Sequence, residues 1–190
     1  SNTKIADKLP NSVEFSAVGG VWEGFDPFFV ELTANDVPNY YAESRSVDTT
    51  LCIRYTLDGS EPNDTSFLYT SPIKIDSTTI VKAKVFDSTR PLIPADVQSY
   101  ISLGHDVTLP TVSIVTEDSF MFGPRRGLLT SPSIYDRRLP VNIEVYMEGE
   151  PTINQLALAS VHGASSSRAT PQRALAVYAK KRMGKKNFKG

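Results

Sequence analysis

The segment from Tyr55 to Phe86 reads YTLDGSEPNDTSFLYTSPIKIDSTTIVKAKVF, and its punctuation decides the fold. A strand ending in Tyr-Thr-Leu runs into Asp58-Gly59, a pair that supplies the positive φ of a tight turn, and a Pro-Asn-Asp loop follows. Beyond the loop, Val81, Ala83 and Val85 alternate with Lys82 and Lys84, so a strand here sends its apolar groups to one face and its lysines to the other. The order strand, turn, loop, strand describes an all-β module, and nothing in the stretch carries reaction chemistry.

Working outward, Val13–Ala17 and Phe28–Thr33 read as strands, the second as a dense apolar run after Pro27. Cys52–Leu57, a short Phe67–Tyr69, Ile73–Ile75, Thr79–Phe86 and a closing Val97–Leu103 complete the set. About seven short strands in roughly 100 residues, with turn signals between them, predict an immunoglobulin-like or fibronectin type III-like β-sandwich. The polar stretch Asn35–Thr50 reads as a long loop.

The second half is also β-rich. Thr111–Thr116, Val141–Met147, Leu156–His162 and Ala174–Tyr178 read as strands, with a turn at Gly149. Glu117-Asp118-Ser119 is placed to cap one helical turn carrying Phe120, Met121 and Phe122 before Gly123-Pro124 stops it. The fold class predicted for the whole is therefore all-β, a sandwich over residues 1–109 followed by a smaller β-rich unit over 110–190.

Charge supports that division. The chain has 190 residues and a net charge of -1, yet residues 1–109 hold 8 Lys and Arg against 15 Asp and Glu, and residues 110–190 hold 12 against 6. The halves are thus −7 and +6, with Pro110 at the crossover and a boundary expected near residues 104–110. Apolar residues at 40% and charged residues at 22% exclude a disordered chain. No apolar run approaches the roughly 20 residues of a spanning helix. The polar start Ser1-Asn2-Thr3-Lys4 reads as that of an expressed chain with its export signal already removed, and Ser1-Asn2 reads as a tag remnant.

Few residues offer reaction chemistry. Cys52 is the single cysteine, so an intrachain disulfide and a cysteine zinc site are both excluded, and Leu51-Cys52-Ile53 reads as a small buried core position. His105 and His162 lie far apart and read as structural. The oxygen donors Asp58, Ser60, Glu61, Asn63 and Asp64 invite calcium, but Pro62 and Tyr69 stand where an EF-hand needs ligands, so the segment reads as a solvated turn. No catalytic residue, metal site or cofactor is expected. Trp22, Tyr40 and Tyr41 are the candidates for stacking on a sugar; for Trp22, with Phe25, Phe28 and Phe29, core packing is the simpler reading. The tail Lys180–Gly190 carries six positive charges, but no nucleic-acid-binding signature accompanies it, and no nucleic-acid partner is expected.

Two resemblances rest on particular words of the sequence. IRYTLDGSEP, LYTSPIKI, TIVKAKVF and the final QSY resemble the chitobiase/β-hexosaminidase C-terminal domain over about residues 13–103. The resemblance implies a small sandwich related to fibronectin type III, an accessory module without catalytic residues, set beside other domains in bacterial extracytoplasmic proteins. PVNIEVYMEGE at Pro140–Glu150 and VHGASSSRATPQRALAVYAKKRMG at Val161–Gly184 resemble the opening of the CotH family, spore-coat protein H-like proteins with an atypical kinase fold, over about residues 111–190. That second resemblance implies nucleotide contacts from Gly163, Ser166, Ser167, Arg168 and Arg173, with Pro171 and Gln172 completing the motif and Arg173 standing where the family usually has Lys. The same resemblance implies that the family's metal-binding acids would fall beyond Gly190. Read from the residues alone, GASSSR is more simply an ordinary Gly-Ser loop than a phosphate cradle. The expected function is a non-catalytic accessory or scaffold region of a bacterial surface or exported protein, placed in the periplasm or at the cell surface. Its alternatives are a fragment of a CotH-like kinase and a carbohydrate-binding module. The partner classes are polysaccharide or another surface protein.

Overall fold

The computed structural model describes residues 13–34, 51–87, 90–91, 95–125, 127–130, 137–163, 173–180 and 187–188. Among them are fourteen strands and a single helical turn. Two compact units emerge, one within Pro10–Thr111 plus Tyr146–Pro151, the other within Val112–Val145 plus Thr152–Gly190.

The first unit is a β-sandwich. Its strands are β1 (Val13–Phe15), β2 (Gly20–Trp22), β3 (Phe28–Val30), β4 (Leu32–Ala34), β5 (Leu51–Thr56), β6 (Phe67–Leu68), β7 (Ile73–Ile75), β8 (Thr79–Asp87), β9 (Arg90–Pro91) and β10 (Asp96–Ser102). One layer is a sheet in the order β2-β10-β8-β5-β6, with β9 on β8; the other consists of the ladders β1-β4 and β3-β7. Val13, Val30, Leu32, Ile73 and Ile75 from the ladders meet Ile53, Val81, Ala83, Val85 and Tyr100 of the sheet in one core. Period-two alternation sets this up: Ile53 opposes Val85 and Tyr55 opposes Ala83 on the inner face.

The same register corrects the reading of Cys52, which opposes Phe86 on the outer face and is only half-buried. Phe29 likewise leaves the core, at 63% exposed, because Phe28 and Val30 take the inner positions of β3. The apolar run expected as one strand over 28–33 divides at Glu31. There the chain exchanges partners, β3 lying against β7 and β4 against β1. Ser16 satisfies the junction: its amide donates to the Glu31 carbonyl at 2.9 Å, and its Oγ accepts the Glu31 amide at 2.8 Å.

β2 pairs in parallel with β10 and was not expected from the sequence, since three residues are too few to show a period. Gly19 allows the approach, because a Cβ there would lie 2.5 Å from the Ser99 carbonyl oxygen. Within the same unit the Val21 amide donates to the Gly149 carbonyl at 3.0 Å.

A sheet in the order β11-β12-β13-β14 supplies most of the second unit, comprising β11 (Thr111–Val115), β12 (Leu139–Met147), β13 (Glu150–Val161) and β14 (Leu175–Tyr178), with Tyr146–Pro151 at its β12–β13 turn counted in the first. Glu148 and Gly149, with φ of 52 and 86, join β12 to β13 in two residues. β13 consequently starts at Glu150 rather than Leu156, because so short a turn puts the chain back in register at once. Helix α1 (Asp118–Met121) is the expected turn, but no side chain caps it; the Glu117 carbonyl accepts the Phe120 and Met121 amides instead. Leu128, Val141, Ile143, Ala157 and Ala159 form this unit's core. No helix among the described residues is long and apolar enough to cross a membrane.

Candidate functional site

The loop between β5 and β6 carries most of the oxygen donors of the sandwich, and its geometry accounts for them individually. Gly59 adopts φ 78, the left-handed conformation that turns the chain after Asp58. Asp58 Oδ1 accepts both hydrogens of Ser60, the backbone amide at 3.0 Å and the hydroxyl at 2.6 Å. Those bonds, the hydroxyl's foremost, hold the Asp58 carboxyl below the usual carboxylate range. Thr56 Oγ1 donates to the Ser60 carbonyl at 2.7 Å and fixes the loop to its own strand. The Gly59 amide donates to the Ile80 carbonyl and the Ile80 amide to the Leu57 carbonyl, which sews the turn to the start of β8.

That stitching decides where Glu61 lies. β8 presents Lys82 and Lys84 on its outer face, and both ammonium groups meet the Glu61 carboxylate: Lys82 Nζ at 2.7 Å from Oε2, and Lys84 Nζ on Oε1. Burial pushes the Glu61 carboxyl up, yet the hydrogen bonds and charges of the two lysines outweigh it and leave the group below the usual range. The segment read as a solvated turn is therefore a clamp on the outer face of the sheet. The signal for it was present: two lysines two residues apart on one strand share a face and need an anion. Pro62 is buried, and Asn63 Oδ1 accepts the Thr65 amide at 2.8 Å and the Thr65 hydroxyl at 2.6 Å. No group of three or more His, Cys, Asp and Glu able to hold a metal occurs among the described residues.

The closing QSY works in the same way. Tyr100 is fully buried and its hydroxyl donates to the Ala17 carbonyl at 2.7 Å. Gln98 Oε1 accepts the Gly19 amide at 2.7 Å, and Asp96 Oδ2 accepts the Val13 amide at 2.8 Å. Three alternate residues of β10 thus tether the bend and strand that precede β3.

Of the sugar-stacking candidates, Trp22 is half-buried, with Phe25 and Phe28 edge-on to its ring at centroid distances of 5.5 and 6.4 Å. Tyr40 and Tyr41 lie outside the described residues, as do Ser166, Ser167 and Arg168. Gly163 is exposed with φ 110, and it flanks the β13–β14 connection opposite Arg173, since Val161 pairs with Leu175. Arg173 Nη1 donates to the Leu128 carbonyl at 3.1 Å, so this guanidinium holds the loop after α1.

One feature of the sandwich had no sequence signal beyond a short strand. Phe67 is 62% exposed and stacks beside Tyr55, ring centroids 5.5 Å apart, at an open depression next to the Asp58 turn.

Residues 39–92 match the family model of the chitobiase/beta-hexosaminidase C-terminal domain. That family is a non-catalytic accessory β domain. The match takes in the Asp58 turn, Glu61, Lys82 and Lys84, all of whose described contacts are internal to the sandwich. No curated protein and no solved structure matches the chain.

Proposed function

We propose that this chain is the accessory and scaffold region of a bacterial exported or surface protein, a chitobiase/β-hexosaminidase C-terminal-type sandwich followed by a CotH-like β unit. The observation that carries the proposal is the clamp of Glu61 by Lys82 and Lys84, together with the Asp58 turn. Glu61 neutralises the lysines of the sheet's outer face and Asp58 fixes the turn, which are structural uses of a carboxylate. Placement outside the cytoplasm follows the habit of the accessory family.

A second reading, a fragment of a CotH-like kinase, draws on Gly163 and Arg173 lying at the same end of the sheet. The hydrogen bond from Arg173 to the Leu128 carbonyl supports a structural role for that arginine instead. Thermal denaturation of the full chain with and without Mg-ATP separates the two. The scaffold reading expects no change in Tm; stabilisation by several degrees that Arg173→Ala abolishes would overturn it in favour of nucleotide binding.

A further inference from the structure

The depression beside the Asp58 turn encloses about 300 Å³ and is lined by Tyr55, Leu57, Asp58, Ser60, Thr65 and Phe67, among others. Phe67 sits on β6, the edge of the large sheet, directly opposite Tyr55 in the β5–β6 register, so the two rings share a face. Tyr55 packs against the core and against Tyr69, whereas Phe67 overhangs the edge with most of its ring in water. A phenyl ring so exposed adds little to the core and offers a flat apolar platform backed by a second, fixed ring. At the rim, Asp58 Oδ1 accepts both hydrogens of Ser60, and a carboxylate with about four acceptor positions has capacity for a further donor.

An occupant must therefore bring one flat apolar face of about a ring's size and hydroxyl or amide donors at its margin. A strand of peptide fits poorly, because β6 is only two residues long and offers too short a ladder. An anionic ligand is disfavoured by the Asp58 carboxylate and by the −7 charge of residues 1–109. A gluco-configured pyranose meets every requirement: its equatorial substituents leave axial C–H groups on one face and put donors around the edge. We propose that this depression binds a neutral pyranose unit of a polysaccharide, its C–H face on Phe67 and a hydroxyl donated to Asp58. The inference is separate from the scaffold role, which stands if no sugar binds.

The test titrates the full chain with a β-1,4-linked glucose hexamer, following backbone amide shifts, with a galacturonate hexamer as the anionic control. Saturable shifts at Phe67 and Thr65 are expected, with Kd on the order of 1 mM, as for a single shallow contact. Phe67→Ala, which removes an exposed ring and leaves Tm unchanged, is expected to abolish them. Asp58→Asn keeps the Oδ1 acceptor for Ser60 and is expected to weaken binding several-fold. The proposal is overturned by an absence of saturable shifts at about ten times that concentration. It is equally overturned by undiminished binding to Phe67→Ala, by tighter binding of the galacturonate, or by binding that depends on Trp22 instead.

Discussion

β8 of the sandwich and β12 of the second unit are each nine residues long, and each is largely covered on both faces, yet they dispose of their polar side chains in opposite ways. β8 sends Lys82 and Lys84 outward, lays their stems along the sheet, and neutralises both with Glu61 from a nearby loop. β12 buries Asn142 and Glu144 and engages them across the hairpin: Asn142 Nδ2 donates to Asn154 Oδ1 at 3.1 Å, and Asn154 Nδ2 to Glu144 Oε1 at 3.3 Å. The first arrangement leaves its anion partly in water and tolerates change. The second withdraws polar groups from solvent, where each lost partner leaves another unsatisfied.

Substitutions in the two networks should therefore differ in size. Glu144 is 1% exposed, so Glu144→Ala leaves a cavity and strips Asn154 of its acceptor; a loss of about 3 kcal/mol is expected in urea denaturation. A loss under about 1 kcal/mol would erase the contrast between the two strands. Tyr100→Phe comes next, since it removes only the buried hydroxyl that bonds the half-buried Ala17 carbonyl; about 1.5 kcal/mol is expected by the same measurement.

Glu61→Gln should have the smallest effect, about 1 kcal/mol at neutral pH, because the Glu61 side chain is 42% exposed and solvent screens both of its ion pairs. Its pH dependence sharpens the point. The folded-state carboxyl titrates below its unfolded value, so its contribution is present above about pH 4.5 and is lost as pH falls through the lower folded value. Urea midpoints measured from pH 7 down to the acid limit should converge for the wild type and Glu61→Gln. Curves that stay parallel would show that the lysines do not depend on the Glu61 charge.

The strands of both units were legible wherever a side-chain period survived for several residues, as in Val81–Val85 and Val141–Val145. The Asp58-Gly59 turn was legible because its signal is local, and so was the helical turn at Asp118. Other features were not. Cys52 was read as core because its neighbours Leu51 and Ile53 are apolar, although those two share one face and Cys52 takes the other. Glu61 was read as solvated because its partners lie 21 and 23 positions away on a strand whose approach depends on the Gly59–Ile80 hydrogen bond. Phe67 carried no sign of exposure, since whether a strand lies at an edge is a property of the whole sheet.

By itself, then, the sequence determined an all-β chain, the faces of its longer strands and an acidic turn beside a basic strand. These follow from periods and turn chemistry that span a few residues. Only the tertiary structure decided that β2 runs parallel to β10, that the run from Phe28 changes partner at Glu31, and that Glu61 closes on two lysines. Each of those outcomes depends on a partner far along the chain. Which distant strand arrives is chosen by the packing of the whole core and not by any one segment.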